Sequence, residues 1–208
     1  MCGEDGQMDR NMAAAEAKRR RADQGQSLRD KLLASFTWRG DSPDRGRWAD
    51  ITGWWRDAEI LGSLGGALSA LHPDARPTVI LGPQSRGMLV GGLVAVSMGI
   101  GMVEVRKNGE PSADSDAWRQ RTTPPDYRDR HLTLGFRRDL VKAGDKVLFV
   151  DDWIDTGGQA LGVHGLVTDA GARWIGAAVI VDALTDPRLR RDLDVRALIQ
   201  GRELNALP

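Results

Sequence analysis

The chain has 208 residues, with 29 Lys+Arg against 29 Asp+Glu, so its formal net charge of zero points to neither nucleic acid nor an anionic membrane surface. Its single cysteine, Cys2, excludes an intramolecular disulfide, and the polar amino terminus lacks the apolar segment of a signal peptide, which together fit a cytoplasmic protein. The length suits one domain with a sizeable core.

In chain order, residues 1–26 carry almost no large apolar side chain and cannot bury enough surface to offset the entropy of ordering. They read as a disordered tail, its basic run Lys18-Arg19-Arg20-Arg21 included, leaving 27–208 as the domain. Apolar spacing near 3.6 predicts a helix over 58–71. Pro77 introduces a short buried strand at 78–81, closed by Gly82, and a helix over 88–98 and a strand over 101–105 come next. The uncharged run 87–103 holds five glycines and is short for a membrane span, so it reads as a buried helix feeding a buried strand. Residues 108–130 are polar and irregular, a length of loop that is usually functional or disordered. A strand at 146–150, a helix at 158–170 and a strand at 174–181 complete the pattern, and 185–196 reads as a charged insertion. Alternating strands and helices predict an α/β fold with a mostly parallel central sheet flanked by helices.

The segment KVLFVDDWIDTGGQA (146–160) concentrates the chemistry. Consecutive apolar residues suit a central parallel strand covered on both faces. Ligands of such sheets bind at the carboxyl ends of the strands, where Asp151 and Asp152 are expected. Two adjacent carboxylates repel one another and are costly to bury unpaired, so a ligand that donates to them gives a reason for their presence. The turn Asp155-Thr156-Gly157-Gly158 leads into a helix, whose first N–H groups and positive dipole end suit a phosphate. A phosphorylated sugar matches both halves: the phosphate fits the turn and vicinal hydroxyls fit the acids. The chain contains no GxxxxGK[ST] and no G-x-G-x-x-G after a strand, which removes the common nucleotide-binding motifs. His72, His131 and His164 lack metal-ligand spacing.

VLFVDDWIDTGGQA also resembles the phosphoribosyl-pyrophosphate signature of the type I phosphoribosyltransferases. The resemblance implies that Asp151 and Asp152 hold the ribose hydroxyls, while Asp155, Thr156, Gly157, Gly158 and Gln159 surround the 5-phosphate. Ser85-Arg86-Gly87 is similar to the pyrophosphate loop of the adenine branch, with Gln84 standing where that branch has an acid and Met88 where it has an aromatic. Arg106-Lys107 matches a further basic segment, Trp48–Thr52 the aromatic-x-Asp-Ile-Thr stretch, and Gly201-Arg202-Glu203 a carboxyl-terminal element. The match runs in order over about residues 45–204.

The resemblance implies a fold and a reaction. The fold it implies is that of the type I phosphoribosyltransferases, with a small hood and a mobile catalytic loop. The reaction it implies joins a purine-like base to ribose C1 of 5-phosphoribosyl-1-pyrophosphate and releases pyrophosphate. By the same resemblance Mg²⁺ is the cofactor, held mainly by the pyrophosphate with help from Asp151 and Asp152. It makes Arg86, Asp126 and Asp155 the catalytic candidates, with Asp126-Tyr127 in place of a Glu-Tyr pair in the mobile loop; Tyr127 and Trp153 join the substrate-binding set. The partners it implies are the activated sugar and a nitrogenous base, in a homodimer, with no nucleic acid or membrane. Asp155 matches the Ile-Asp-Thr-Gly of the hypoxanthine-guanine branch, and 185–196 interrupts a region that helps form the base pocket, so a 6-oxopurine or non-standard base stays open. A non-catalytic sensor of phosphoribosyl pyrophosphate is the alternative from a different class.

Overall fold

A computed structural model describes residues 26–40, 47–108, 117–123 and 131–207. Compact packing divides the chain into two units, residues 1–60 and 61–208.

In the first unit, residues 26–34 form a helix (α1), followed by strands β1 (Thr37–Arg39) and β2 (Trp48–Asp50), paired antiparallel, and the short helix α2 (Thr52–Arg56). Trp54 is fully buried there and donates its indole N–H to the Leu32 carbonyl at 2.9 Å, with Phe36 6.4 Å away between ring centroids. The Asp50 carboxylate accepts from both the backbone N–H and the hydroxyl of Thr52, at 3.0 and 2.6 Å, and from Arg39. Those bonds, the Thr52 hydroxyl first, hold its pKa down to about 2. The Asp-Ile-Thr stretch thus sets the start of α2, where the unpaired N–H groups of a helix need acceptors.

Helix α3 (Ala58–Ser69) leads out of this unit. The second unit is built on a seven-stranded sheet: β3 (Val79–Pro83), β4 (Gly101–Lys107), β5 (Trp118–Thr122), β6 (Thr133–Arg137), β7 (Lys146–Ile154), β8 (Arg173–Asp182) and β9 (Val195–Gln200), in the spatial order β5-β6-β4-β3-β7-β8-β9. The five strands from β4 to β9 pair in parallel, and β6 and β5 add an antiparallel edge. Helix α4 (Arg86–Met98) packs on β3 and β7, and α5 (Gly158–Asp169) packs against β5, β6, β7 and β8. On its α5 face the sheet buries a continuous core that includes Leu81, Val105, Phe149, Val163, Leu166 and Val179. Helices α6 (Pro187–Asp192) and α7 (Gly201–Asn205) flank β9.

Mostly parallel layers with helices on both faces agree with the sequence expectation, and three details refine it. The polar stretch 108–130 contains β5, an exposed edge strand hairpinned to β6. Residues 185–196 hold α6 and the start of β9 rather than a bare insertion. Strand β7 runs on to Ile154, so the paired aspartates lie inside it. No described helix is long and apolar enough to cross a membrane.

Candidate functional site

The chain leaves β3 toward β4 on one side of the sheet and resumes in β7 on the other, so β3 and β7 border a topological switch point, where open α/β sheets bind ligands at their carboxyl ends. Pairing explains why the crevice opens at the acids. On the β3 side, the β7 ladder stops at Leu81↔Phe149, whereas on the β8 side it continues to Ile154↔Asp182. Asp151 and Asp152 therefore keep a strand on one flank only, and each is just 6% exposed.

The acids are close to one another and to two cations. The Asp152 N–H donates to Asp151 Oδ1 at 2.9 Å. Arg86 Nε lies 3.1 Å from Asp152 Oδ2, yet that buried oxygen accepts no well-aligned hydrogen bond; the contact is Coulombic, and a lone pair remains for another donor. Burial first and the Asp152 charge second push the Asp151 pKa well above the usual carboxylate range. Burial lowers the pKa of half-buried Lys107, opposed by the attraction of Asp151 and Asp152 and assisted by Arg86.

Close packing holds the group. A Cβ added at Gly87, in the first turn of α4, would lie 2.7 Å from Asp151 Oδ1 and 2.5 Å from Pro83 Cδ, so only glycine allows the helix to approach the acid. The peptide Gln84–Ser85 before α4 is cis. Gln84 is a keystone of this loop: its amide donates to Glu104 at 2.6 Å and its oxygen accepts the Lys107 N–H at 3.0 Å. An acid in its place would face the Glu104 carboxylate, which gives the departure at this position a local cause. Arg106 turns to the opposite strand face from Lys107, where it meets Glu104 at 3.6 Å and the ring of Trp118 at 5.8 Å.

After β7, Asp155 and Thr156 form an exposed turn and Gly157, at φ +76°, is the N-cap of α5. The N-cap residue supplies no side-chain bond, and the Gly158 N–H makes only a long 3.4 Å bond to the Thr156 hydroxyl, so the start of the helix stays open to a stronger acceptor. A Cβ at Gly157 would stand 2.5 Å from Leu189 Cδ2 of α6 and 3.2 Å from Leu184 Cδ2. Nothing in the sequence pattern announces that brace. It rests on Asp182, 2% exposed, which accepts from Arg190 Nε at 2.5 Å, Arg190 Nη2 at 3.2 Å and the Leu184 N–H at 2.9 Å. Asp186-Pro187 starts α6 with a 2.8 Å cap to the Arg188 N–H and proline at the first helical turn, a signal that the sequence does carry. Gln159 Oε1, in the first turn of α5, is buried without a partner.

Arg86, Lys107, Asp151 and Asp152 thus converge, beside the turn Asp155–Gly158. Trp153 is half-buried in β7 and Ser85 is exposed at the start of α4. Asp126 and Tyr127 lie outside the described residues. A buried acid pair with an unfilled lone pair, two adjacent cations and an uncapped helix start can bind a ligand that carries hydroxyl donors and more than one phosphate.

Comparison with known proteins gives the same reading. The profile of the phosphoribosyl transferase domain family matches residues 59–203. The adenine phosphoribosyltransferase of Rhodococcus jostii is 34% identical over 165 residues, covering 75% of this chain and 85% of its own. Among solved structures, the adenine phosphoribosyltransferase of Rhodothermus marinus superposes with a TM-score of 0.70 at 28% identity, over 84% of this chain and 98% of its own. The Saccharomyces cerevisiae enzyme, solved with an imino-altritol bisphosphate and adenine, gives 0.67 at 25% identity over 83% and 98%.

Proposed function

The chain belongs to the phosphoribosyl transferase domain family, and from that premise we propose that it transfers the phosphoribosyl group of 5-phosphoribosyl-1-pyrophosphate to a nitrogen of a purine base, adenine first, releasing pyrophosphate. The observation that carries the reading is the buried Asp151–Asp152 pair with Asp152 Oδ2 lacking a hydrogen-bond partner, beside an uncapped glycine turn. Vicinal ribose hydroxyls supply the missing donors, and the 5-phosphate takes the N–H groups of the Thr156–Gly158 turn, with Thr156 and Gln159 as side-chain donors.

Breaking the C1–O bond to pyrophosphate develops positive charge on the sugar and negative charge on the leaving group, as in glycoside chemistry. Arg86 and Lys107 take up the leaving-group charge, and Gln84 fixes the Lys107 backbone for it. Ser85 and Gly87 present the N-terminal N–H groups of α4 to the same phosphates. Asp151 and Asp152 hold the sugar by its hydroxyls while C1 changes geometry. The base loses a proton at the attacking nitrogen, and Asp155, exposed in the turn, or Asp126 accepts it. Trp153 offers an indole plane to the base and Tyr127 completes the substrate-binding set, whereas Arg106, on the other strand face, stays with Glu104 and Trp118.

Magnesium suits this donor set. The described residues contain no cluster of three or more metal-ligating side chains, and a cation that binds through phosphate oxygens, waters and one or two carboxylates needs none. Asp151 and Asp152 would order its waters, and the ion would neutralise pyrophosphate charge. A homodimer draws support from the apolar face that α4 leaves open at Met88, Leu89 and Val96, the last 84% exposed. A cytoplasmic location suits the sugar substrate; of the expected tail, residues 1–25 lie outside the described residues.

A 6-oxopurine is the second reading, favoured by the carboxylate of Asp155 exposed at the turn. Purified protein with Mg²⁺, the activated sugar and a panel of purines decides. Pyrophosphate release with adenine supports the main reading, release only with hypoxanthine or guanine transfers the assignment to the second, and release with no base overturns both in favour of a non-catalytic sensor.

A further inference from the structure

The strands that carry the acids at their carboxyl ends begin, at the other edge of the sheet, in a recess of about 390 Å³. It is lined by Arg76, Lys146, Arg173 and Arg196 against only two acids, Asp74 and Asp194. Lys146 and Arg173 open β7 and β8 and are cross-strand partners in the ladder. Like charges on adjoining strand positions repel. Neither side chain has a carboxylate partner among the described residues. The acids do not offset this fully, because Asp194 is already engaged by Arg196 at 3.2 and 3.3 Å.

The recess is built rather than incidental. The β7–β8 register slips between Val147 and Leu148, so Ile175 is bulged out of the ladder. Gly176 next to it sits at φ +143°, and a Cβ there would lie 2.4 Å from His72 Cε1. The bulge and the glycine therefore let the His72 ring, 4% exposed, press against the strand, with its Nε2 3.2 Å from the Ala177 carbonyl. Trp174 forms a wall, fixed by an indole bond to the Leu193 carbonyl at 3.0 Å and by stacking on Phe149 at 5.7 Å. Burial lowers the His72 pKa, so the ring adds no charge at neutral pH.

We propose that this recess is a second anion site that binds a phosphomonoester dianion through Lys146 and Arg173, with Arg76 and Arg196 at its rim. The excess of two positive charges matches the charge of about −2 that a phosphomonoester carries. The ligand is a free phosphate, a sugar phosphate or a nucleoside monophosphate. The site lies at the opposite end of β7 from Asp151, roughly 17 Å away at the rise of an extended strand. Its occupant therefore differs from the sugar held at the acids, and the inference does not depend on which base the protein uses.

The test is calorimetric titration of the full chain at low salt with ribose 5-phosphate. The wild type is expected to bind two per chain. Lys146→Gln/Arg173→Gln should lose one of them, or weaken it at least tenfold, while its thermal midpoint and its pyrophosphate release at saturating substrates stay unchanged. Asp151→Asn/Asp152→Asn should lose the other one. If the double substitution at the recess does not fold, Lys146→Gln alone must still weaken the second event. Competition separates the sources: displacement by inorganic phosphate assigns the free ion, and displacement by adenosine monophosphate alone assigns the nucleotide. A single binding event that Lys146→Gln/Arg173→Gln leaves unaltered overturns the proposal, whether or not the protein transfers phosphoribose.

Discussion

Gly157→Ala tests how the phosphate turn is held. The native φ is +76°, a region that costs a side chain about 1–2 kcal/mol. The new methyl would also stand 2.5 Å from Leu189 Cδ2, the end of a half-buried side chain that must swing aside, so overpacking adds only the low end of its range, about 1 kcal/mol. The sum is roughly 2–3 kcal/mol, with the turn displaced from the ligand. Leu189→Ala alone should cost about 1–2 kcal/mol, toward or below the low end for a leucine because it is half-buried. Combined with Gly157→Ala it removes the clashing methyl and leaves mainly the backbone cost, so the two changes should couple favourably by about 1 kcal/mol. Urea denaturation of the four proteins measures the cycle, and KM for the activated sugar reports the turn: raised at least tenfold in Gly157→Ala and partly restored in the double variant. Additive stabilities, or a Gly157→Ala protein with unchanged KM, would refute the view that α6 braces the turn.

The other predictions concern the polar groups around it. Asp151 has a folded pKa raised above its ordinary 3.8, by burial first and Asp152 second, so the native state holds its proton more tightly than the unfolded state. Stability should fall as pH rises from 3.8 through the raised native value; Asp151→Asn should remove that slope and be the more stable protein at neutral pH, as denaturation across a pH series will show. Arg190→Met leaves the Asp182 carboxylate buried and unpaired, a loss of about 3–5 kcal/mol, and Arg190→Met/Asp182→Asn should recover most of it in the same assay. Gln84→Glu sets a second carboxylate against Glu104; a loss of about 1–3 kcal/mol is expected, recovered by adding Glu104→Gln, and the same pair should lower and then restore turnover because Gln84 also binds the Lys107 backbone.

The features legible in the sequence are those written in consecutive residues. VLFV followed by paired acids and a glycine turn marked a central strand and its carboxyl end, because a strand buried on both faces needs an unbroken apolar run. The same run could not show where β7 ends, since its last residues are held by β8 alone and the loss of the β3 ladder leaves no mark in composition. Strand β5, with the sequence WRQRT, is an exposed edge that lacks the apolar alternation by which strands are recognised. Strand β9 was hidden by the charged residues of α6 before it. The hydrogen bonds of Gln84 and the brace from Leu189 to Gly157 join residues distant in the chain, and no local pattern encodes either.

The central claim is that Asp151 and Asp152 hold an activated pentose by its hydroxyls. Its most direct test is the affinity of the purified chain for 5-phosphoribosyl-1-pyrophosphate with Mg²⁺, measured for the wild type and for Asp151→Asn/Asp152→Asn, with circular dichroism to confirm that both are folded. Bonds to a charged acceptor contribute about 1.5–3 kcal/mol each, so the double substitution should weaken binding at least a hundredfold, while inorganic pyrophosphate, which carries no ribose hydroxyls and meets the acids only through the waters of Mg²⁺, should be weakened far less. Equal affinity of the two folded proteins for the activated sugar would contradict the account.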